Sequence, residues 1–205
     1  MKMFLNLEWI FHRLAHEQSF ALYTEENHPV RAKTRSFLLP LIKGDHVVLD
    51  LGCKEGVMSN YLASKAKKVV GIDYDAEAIG RATSKYDHDN IEFKAVEALA
   101  FLDSTTENFD VLILSHILEH LDHPKKFLKS FKDYFKYVYI EVPDFDRYYM
   151  NHYRKDLNMK LVYSDDDHIS EFDREELTAI LSECNLLVLK TDYRYGVQKY
   201  WCVHE

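Results

Sequence analysis

The 205-residue sequence predicts a single domain of the doubly wound α/β class, with a mostly parallel sheet and helices on both faces. Short apolar runs recur along the chain, and segments with helical spacing of apolar residues separate them. A strand followed by a helix returns to a parallel neighbour in the sheet. Only a turn at Tyr195-Gly196 separates the last two runs, which predicts an antiparallel hairpin at the end of the sheet.

The predicted strands are apolar runs that end at turn-forming residues. They cover residues 46–51, 68–73, 91–95, 109–114, 137–142, 186–191 and 198–203. The early runs are almost continuously apolar, which is typical of strands that are buried on both faces of a parallel sheet.

The predicted helices follow the 3.6-residue spacing of apolar side chains. They cover residues 4–23, 30–39, 55–67, 76–85 and 124–135, and a last helix begins at 173. Asp173 with Glu176 three residues later forms a capping box, which predicts where that last helix starts.

Two parts of the chain, the N-terminal helices and a later segment with little periodicity, are expected to enclose a ligand. Residues 1–39 are predicted to form an N-terminal helical lid over a domain of residues 40–205, and Arg31 of the lid could pair with a ligand carboxylate. Residues 143–170 are predicted to be an insertion that covers the substrate, although a solvated connecting segment would have the same composition. The insertion mixes rings and charges: Asp144, Asp146, Arg147, Tyr148, Tyr149, His152, Tyr153, Arg154 and Lys155.

Composition excludes several classes of protein. The net charge of −8 argues against broad binding of nucleic acid, because the phosphates repel an acidic surface. Cys53, Cys184 and Cys202 form neither a zinc pattern nor a disulfide framework, which favours a reducing, cytoplasmic setting. The sequence shows no signal peptide, and no stretch approaches the roughly 20 apolar residues that span a bilayer.

The sharpest functional signal lies where the first and second predicted strands end. Asp50 is followed by Gly52 and Gly56, so a buried strand runs through an acidic residue into a glycine turn and a helix. A dinucleotide site would need G-x-G-x-x-G here, and the carboxylate of Asp50 would repel a phosphate but suits an ammonium or sulfonium. Asp73 ends the second strand, where a carboxylate can accept from both hydroxyls of a ribose.

Further residues complete a nucleoside site. Tyr74 is placed to stack on an adenine ring, and Glu97 after the third strand can accept from an adenine amino group. Ala98 and Ser115 are the remaining predicted cofactor contacts.

These motifs resemble those of the class I S-adenosylmethionine methyltransferases. Asp50-x-Gly52-x-x-x-Gly56 is similar to their first motif, and Asp73 to their ribose-binding acid. The segment from His116 to Pro124 resembles the E-x-L-E-H-L-x-x-P segment of the branch that includes ubiquinone-type O-methyltransferases. The resemblance implies S-adenosyl-L-methionine as cofactor and a seven-stranded sheet of order 3-2-1-4-5-7-6, with the last strand antiparallel.

Two positions depart from the family pattern. Lys54 stands where the first motif has its middle glycine, and Glu97 stands where the family has an aspartate. Both departures lie within the motifs that carry the resemblance.

Histidines mark the reacting end of the predicted site. Methyl transfer needs a group that orients the nucleophile and removes its proton, and a histidine can do this near neutral pH. We rank the candidates as His120, then His168, then His116, although each could also be a structural histidine.

The same histidines could instead bind a divalent metal ion. His116, Glu119, His120 and His168 offer three imidazoles and one carboxylate, which suit such an ion. The arrangement is similar to that of small-RNA 3′-terminal ribose methyltransferases. Those enzymes have a later H-x-x-E-aromatic motif, and His168 is the first residue of the matching segment in this sequence.

The sequence therefore predicts a methyltransferase that modifies a hydroxyl, less favourably an amine, of a small polar acceptor such as a sugar. Two alternatives stay open, a metal-dependent RNA ribose 2′-O-methyltransferase and a non-catalytic S-adenosylmethionine-binding protein. An NAD-dependent oxidoreductase is disfavoured because the G-x-G-x-x-G motif is missing.

Overall fold

A computed structural model describes residues 1–24, 27–131 and 134–204. Its centre is a seven-stranded sheet with the order β3-β2-β1-β4-β5-β7-β6, as predicted. The strands are β1 (Val47–Leu51), β2 (Lys68–Asp73), β3 (Ile91–Ala95), β4 (Val111–Ser115), β5 (Tyr137–Pro143), β6 (Leu186–Asp192) and β7 (Val197–His204). Strands β1 to β5 pair in parallel, and β7 is antiparallel to both of its neighbours, β5 and β6.

Helices flank the sheet, and none within the described ranges is both long and apolar enough to cross a membrane. They are α1 (Lys2–Leu22), α2 (Pro29–Leu38), α3 (Val57–Ala63), α4 (Ala76–Lys85), α5 (Ala98–Ser104), α6 (Pro124–Phe131), α7 (Met150–Asp156) and α8 (Arg174–Glu183). The predicted helix 124–135 begins where α6 begins, but its residues 132–133 lie outside the described part.

Two apolar cores lie on opposite faces of the sheet, which confirms the doubly wound arrangement. Successive residues of each central strand alternate between them: Val48 belongs to one core and Leu49 to the other. The first core contains Phe37 of α2 and Leu62 of α3, whereas the second contains Leu177 of α8. Burial of these side chains on both faces explains why the central strands are apolar throughout.

The structure corrects several predicted boundaries. Helix α3 starts at Val57 rather than at residue 55, because Gly56 before it has a φ of 75° and cannot continue a right-handed helix. Strand β4 runs over Val111–Ser115 instead of 109–114. Helices α5 and α7 were not predicted, since each has only seven residues and shows too little periodicity.

Helix α7 packs against the N-terminal helix α1. The buried Arg154 of α7 donates to the backbone oxygen of Leu5 at 3.0 Å and pairs with Glu8. Trp9 donates from its indole nitrogen to the backbone oxygen of Tyr163 at 2.8 Å. Helix α1 therefore lies against the 143–170 segment, while its role as a lid stays a prediction.

Two glycines allow a matched test of the turn that leads into α3. A Cβ on Gly56 would lie 2.5 Å from the Phe93 ring, and its φ of 75° disfavours any other residue. We expect G56A to lower the free energy of unfolding by about 2 kcal/mol or more, because strain and overpacking add. Urea titration followed by circular dichroism would measure the change.

The control is Gly80 in α4, where an added Cβ meets nothing within 4 Å. Replacing glycine by alanine inside a helix stabilises it by roughly 0.5–1 kcal/mol, so G80A should shift stability in the opposite direction. Equal stability of G56A and the parent protein would contradict the assigned turn geometry.

Candidate functional site

The predicted cofactor residues meet around one cavity of about 1220 Å³ at the carboxyl ends of the strands. Parallel α/β sheets bind ligands at this edge, where the strand order reverses between β1 and β4. The predicted residues that line the cavity are Asp50, Gly52, Asp73, Tyr74, Glu97, Ala98 and Ser115. Gly56 is not in the lining, and it acts through the shape of the turn instead.

Asp50 lies near the end of β1 and is almost fully buried. The hydroxyl of Ser59 in α3 donates to its Oδ2 at 2.6 Å. Burial raises the pKa of Asp50 to about 6, the charge of Asp73 adds to this, and the hydrogen bond from Ser59 opposes it. A buried carboxylate beside a second carboxylate is a favourable place for a positively charged ligand group.

Asp73 closes the glycine turn that follows β1. Its Oδ2 accepts from the backbone nitrogen of Lys54 at 2.9 Å, and its Oδ1 accepts from that of Asp75 at 2.9 Å. Each carboxylate oxygen can accept a second hydrogen bond, so these contacts leave capacity for two ribose hydroxyls. The ribose role of Asp73 stays a prediction.

Gly52 and Lys54 give this turn its shape. Gly52 has a φ of 72°, and a Cβ there would lie 2.4 Å from the Ile117 side chain. Lys54 has a φ of 47°, which is uncommon for a residue other than glycine. The turn therefore holds Lys54 at a cost in backbone strain.

The predicted adenine end of the cavity is open. Tyr74 is 86% exposed, so its ring is available for stacking, and its adenine role stays a prediction. Glu97 accepts from the backbone nitrogen of Ala100 at 3.0 Å and thereby caps α5. Arg31 lies in the cavity wall with its guanidinium 5.7 Å from the centre of the Phe20 ring.

His116 faces two carboxylates at the reacting end. Its Nδ1 lies 2.9 Å from Oε1 of Glu119, and its Nε2 lies 3.4 Å from Oε1 of Glu141. Withdrawal from solvent alone would lower its pKa, but the two carboxylates outweigh it and raise the pKa to about 10. Its φ of 56° shows that the backbone adopts an unfavourable conformation to place this ring.

Glu141 is a site residue that the sequence analysis did not single out. It is buried near the end of β5, where Thr34 of α2 donates to both of its oxygens at 3.0 and 2.9 Å and the Tyr139 hydroxyl donates to Oε2. The available signal was an acidic residue inside an otherwise apolar strand, because a buried carboxylate needs partners.

His120 and His168 lie together, with their ring centres 4.9 Å apart. His120 Nδ1 lies 3.2 Å from the backbone oxygen of Asp167, and His168 Nδ1 lies 2.8 Å from Oε1 of Glu171. Burial lowers the pKa of His168, but Glu171 outweighs it and the net shift is upward.

Three of the four predicted metal ligands fit a metal ion. Glu119, His120 and His168 each offer an atom within 4.8 Å of the others. Oε2 of Glu119 is buried and has no hydrogen-bond partner among the described residues, as expected of a carboxylate that awaits a cation. His116 lies outside this group because both of its nitrogens face carboxylates. A bound metal stays a prediction.

The 143–170 segment contributes to the cavity unevenly. Arg147, Tyr148 and Arg154 line it. Asp144 instead is buried against Arg174 of α8, with 2.6 Å between its Oδ2 and Nη2 of the arginine, so its role is structural.

Comparison with known proteins identifies the family and the fold that this chain shares. A family model described as a methyltransferase domain matches residues 23–191. The ubiquinone biosynthesis O-methyltransferase of Glaesserella parasuis is 33% identical over 95 residues, which are 43% of this chain and 40% of that enzyme. The chain thus spans less than half of that curated relative's length.

Solved structures share the fold at low sequence identity. Magnesium protoporphyrin IX methyltransferase from Synechocystis, solved with bound S-adenosylhomocysteine, has a TM-score of 0.64 at 15% identity over 85% of this chain and 81% of that one. The N-methyltransferase NodS from Bradyrhizobium japonicum, also solved with S-adenosylhomocysteine, has a TM-score of 0.62 at 18% identity over 86% and 88%.

The strained lysine of the glycine turn can be tested directly. Glycine at position 54 removes the left-handed strain, so K54G should raise the free energy of unfolding by about 1 kcal/mol. The backbone bond from residue 54 to Asp73 should survive the change. Thermal unfolding measures the effect, and K65G is the control, because exposed Lys65 has no positive φ and should lose stability. Equal loss in both variants would contradict the assigned strain.

Proposed function

The chain belongs to the methyltransferase-domain family, and we propose that it transfers the methyl group of S-adenosylmethionine to a hydroxyl of a small polar acceptor. One observation carries the proposal. The two carboxylates that could hold a cationic nucleoside, Asp50 and Asp73, line the same cavity as His120 and His168. Donor and acceptor could therefore meet in a single cavity.

The cofactor end would hold the donor by charge and shape. S-adenosylmethionine supplies a methyl group that its sulfonium makes electrophilic. Asp50 would attract the cationic part of the molecule, Asp73 would accept from the ribose, and Tyr74 would stack on the adenine. Arg31 in the cavity wall would pair with the amino-acid carboxylate.

His120 is the preferred general base. Because a carbonyl oxygen can only accept, the contact with Asp167 assigns the proton of neutral His120 to Nδ1. Nε2 is then free to accept a proton from the acceptor hydroxyl. His116 is a poorer base, since carboxylates face both of its nitrogens and favour its protonated form. It would add fixed positive charge and orientation instead.

A hydroxyl acceptor is favoured over an amine. The ubiquinone biosynthesis relative is named an O-methyltransferase, and the sequence after β4, Ser115-His116-Ile117-Leu118, lacks an N-P-P-Y-like motif. NodS, named an N-methyltransferase, shares only the fold at 18% identity. No feature of the cavity singles out a sugar.

A metal-assisted version of the same transfer is the second candidate. The unpartnered Oε2 of Glu119 favours it, with His120 and His168 as the other protein ligands. A divalent ion in this place would lower the pKa of a bound acceptor hydroxyl. This candidate includes RNA ribose methylation, but the net charge of −8 disfavours a nucleic-acid acceptor.

Cofactor binding tests the central claim. Asp50 is neutral below a pH of about 6 and ionised above it, and only the ionised form attracts the ammonium of the ligand. The affinity for S-adenosylhomocysteine, measured by calorimetry, should therefore rise as the pH rises through about 6. D50N should remove this rise, and D73N should weaken binding about tenfold by loss of the ribose contact.

The control for both variants is D89N, because Asp89 is exposed and outside the cavity lining. Binding of NADH in place of S-adenosylhomocysteine, or unaltered affinity in both D50N and D73N, would refute the cofactor assignment.

The two candidates for the reacting end give different results with a chelator. Labelled S-adenosylmethionine and a fractionated cell extract would first identify a fraction that gains label. H120Q should then reduce transfer about a hundredfold or more, without weakening S-adenosylhomocysteine binding, because the general base is lost. Under the metal candidate EDTA abolishes transfer and Mg²⁺ or Mn²⁺ restores it, whereas under the base alone EDTA has no effect.

His123 supplies the matched control, since it is exposed and lies outside the cavity lining. Full activity of H120Q would exclude His120 from the reaction. Normal cofactor affinity with no labelled fraction would instead support a non-catalytic binding protein.

A further inference from the structure

A cluster of basic side chains from α1 and from the turn after β5 lines the cavity. Arg147 ends a short 3-10 turn after β5 and reaches across to the β6–β7 turn, where Gly196 lies. Its Nη2 is 3.2 Å from Nε2 of His12 in α1, and His16 lies one helical turn further along. Arg147, His12, His16 and Gly196 all line the cavity.

Arg147 lacks the carboxylate partner that other arginines here possess. Arg13 pairs with Glu17 and Asp165, Arg154 with Glu8, and Arg194 with Asp192. No carboxylate of the described chain lies within ion-pair distance of Arg147, whose own hydrogen bonds go to His12 and to the Gly196 backbone oxygen at 3.5 Å. Arg147 is exposed in the cavity wall, and its planar guanidinium has the geometry that binds a carboxylate or phosphate through two parallel hydrogen bonds.

The β6–β7 turn is shaped to hold this arginine. Gly196 has a φ of 76°, and a Cβ there would lie 2.7 Å from Nη1 of Arg147. The guanidinium therefore occupies the space that any other residue at 196 would fill. This contact places the charge at the cavity wall and restricts its motion.

The two histidines are held neutral by the same arrangement. Arginine can only donate, so Nε2 of His12 must accept from it and carries no proton. Burial and the neighbouring Arg147 lower the pKa of both His12 and His16, while the nearby Glu8 acts in the opposite direction on His12. A bound anion would raise the pKa of these histidines and so favour their protonated forms.

We infer that Arg147, with His12 and His16, binds an oxyanion carried by the methyl acceptor. The acceptor is then a hydroxyl compound that also bears a carboxylate or a phosphate. Arg147 contacts the β6–β7 turn, and β7 lies three strands from β1 in the sheet, which is about 14 Å at the usual strand spacing. The inference rests on the proposed function for its acceptor, whereas the anion site itself can be tested alone.

The experiment uses the full chain, with and without saturating S-adenosylhomocysteine, and simple anions as probes. Benzoate, inorganic phosphate and the neutral benzyl alcohol are titrated at constant ionic strength while NMR follows the imidazole nitrogens. We expect saturable binding of benzoate, of phosphate or of both, no binding of benzyl alcohol, and an upward shift in the pKa of His12 or His16. Binding of benzoate would indicate an acceptor that bears a carboxylate, and binding of phosphate would indicate a phosphorylated acceptor.

R147Q should weaken anion binding about tenfold or more, because it removes a charge-assisted hydrogen bond but keeps a polar side chain. R194Q is the matched control, since Arg194 is paired with Asp192 and is not in the cavity lining. Its anion affinity should equal that of the parent protein.

Three results would overturn the inference. These are no saturable binding of either anion, equal anion affinity in R147Q and the parent, and a tenfold loss of S-adenosylhomocysteine affinity in R147Q. The last would mean that the cluster holds the cofactor's own carboxylate. Failure of the parent protein to bind S-adenosylhomocysteine would refute the proposed function. The anion titration in the absence of S-adenosylhomocysteine would still show whether the anion site exists.

Discussion

The hydrogen bonds of one carboxylate hold the candidate site together. Asp73 at the end of β2 accepts backbone N–H groups from both Lys54 and Asp75. It thereby joins the turn after β1 to the turn after β2, and it places Asp50 and Asp73 at the same edge of the sheet. Electrostatic repulsion between the two carboxylates contributes to the raised pKa of Asp50. A cationic ligand bound between them would relieve this repulsion.

The predicted reacting end differs, because its two buried carboxylates already have hydrogen-bond partners. His116 lies between Glu119 and Glu141, and Glu141 also accepts from Thr34 and Tyr139. Buried networks of this kind fix geometry, since each member loses a partner if another moves. The exception is Oε2 of Glu119, the one buried carboxylate oxygen of the described chain without a hydrogen-bond partner. Because this oxygen can still accept a hydrogen bond or bind a cation, the network can receive a further group and is not purely structural.

The basic cluster around Arg147 shows how a chain of net charge −8 can present local positive charge. Its members come from α1, the turn after β5 and the β6–β7 turn, which are far apart in the sequence. The positive charge is that of Arg147, because its neighbours His12 and His16 are neutral, and salt confines its effect to about 10 Å. Net charge therefore bears on nucleic-acid binding but says little about one pocket.

The sequence by itself determined the sheet, its closing hairpin and the acidic strand ends, because apolar periodicity and glycine turns are local properties. Asp50 and Asp73 could be singled out in this way. The tertiary structure alone decided that Gly56 lies outside the cavity lining, that His116 and Glu141 share a network, and that Arg147 meets His12. Contacts between distant elements depend on packing and side-chain direction, which a local pattern does not contain. For the same reason the short helices α5, which Glu97 caps, and α7, which packs on α1, went unpredicted.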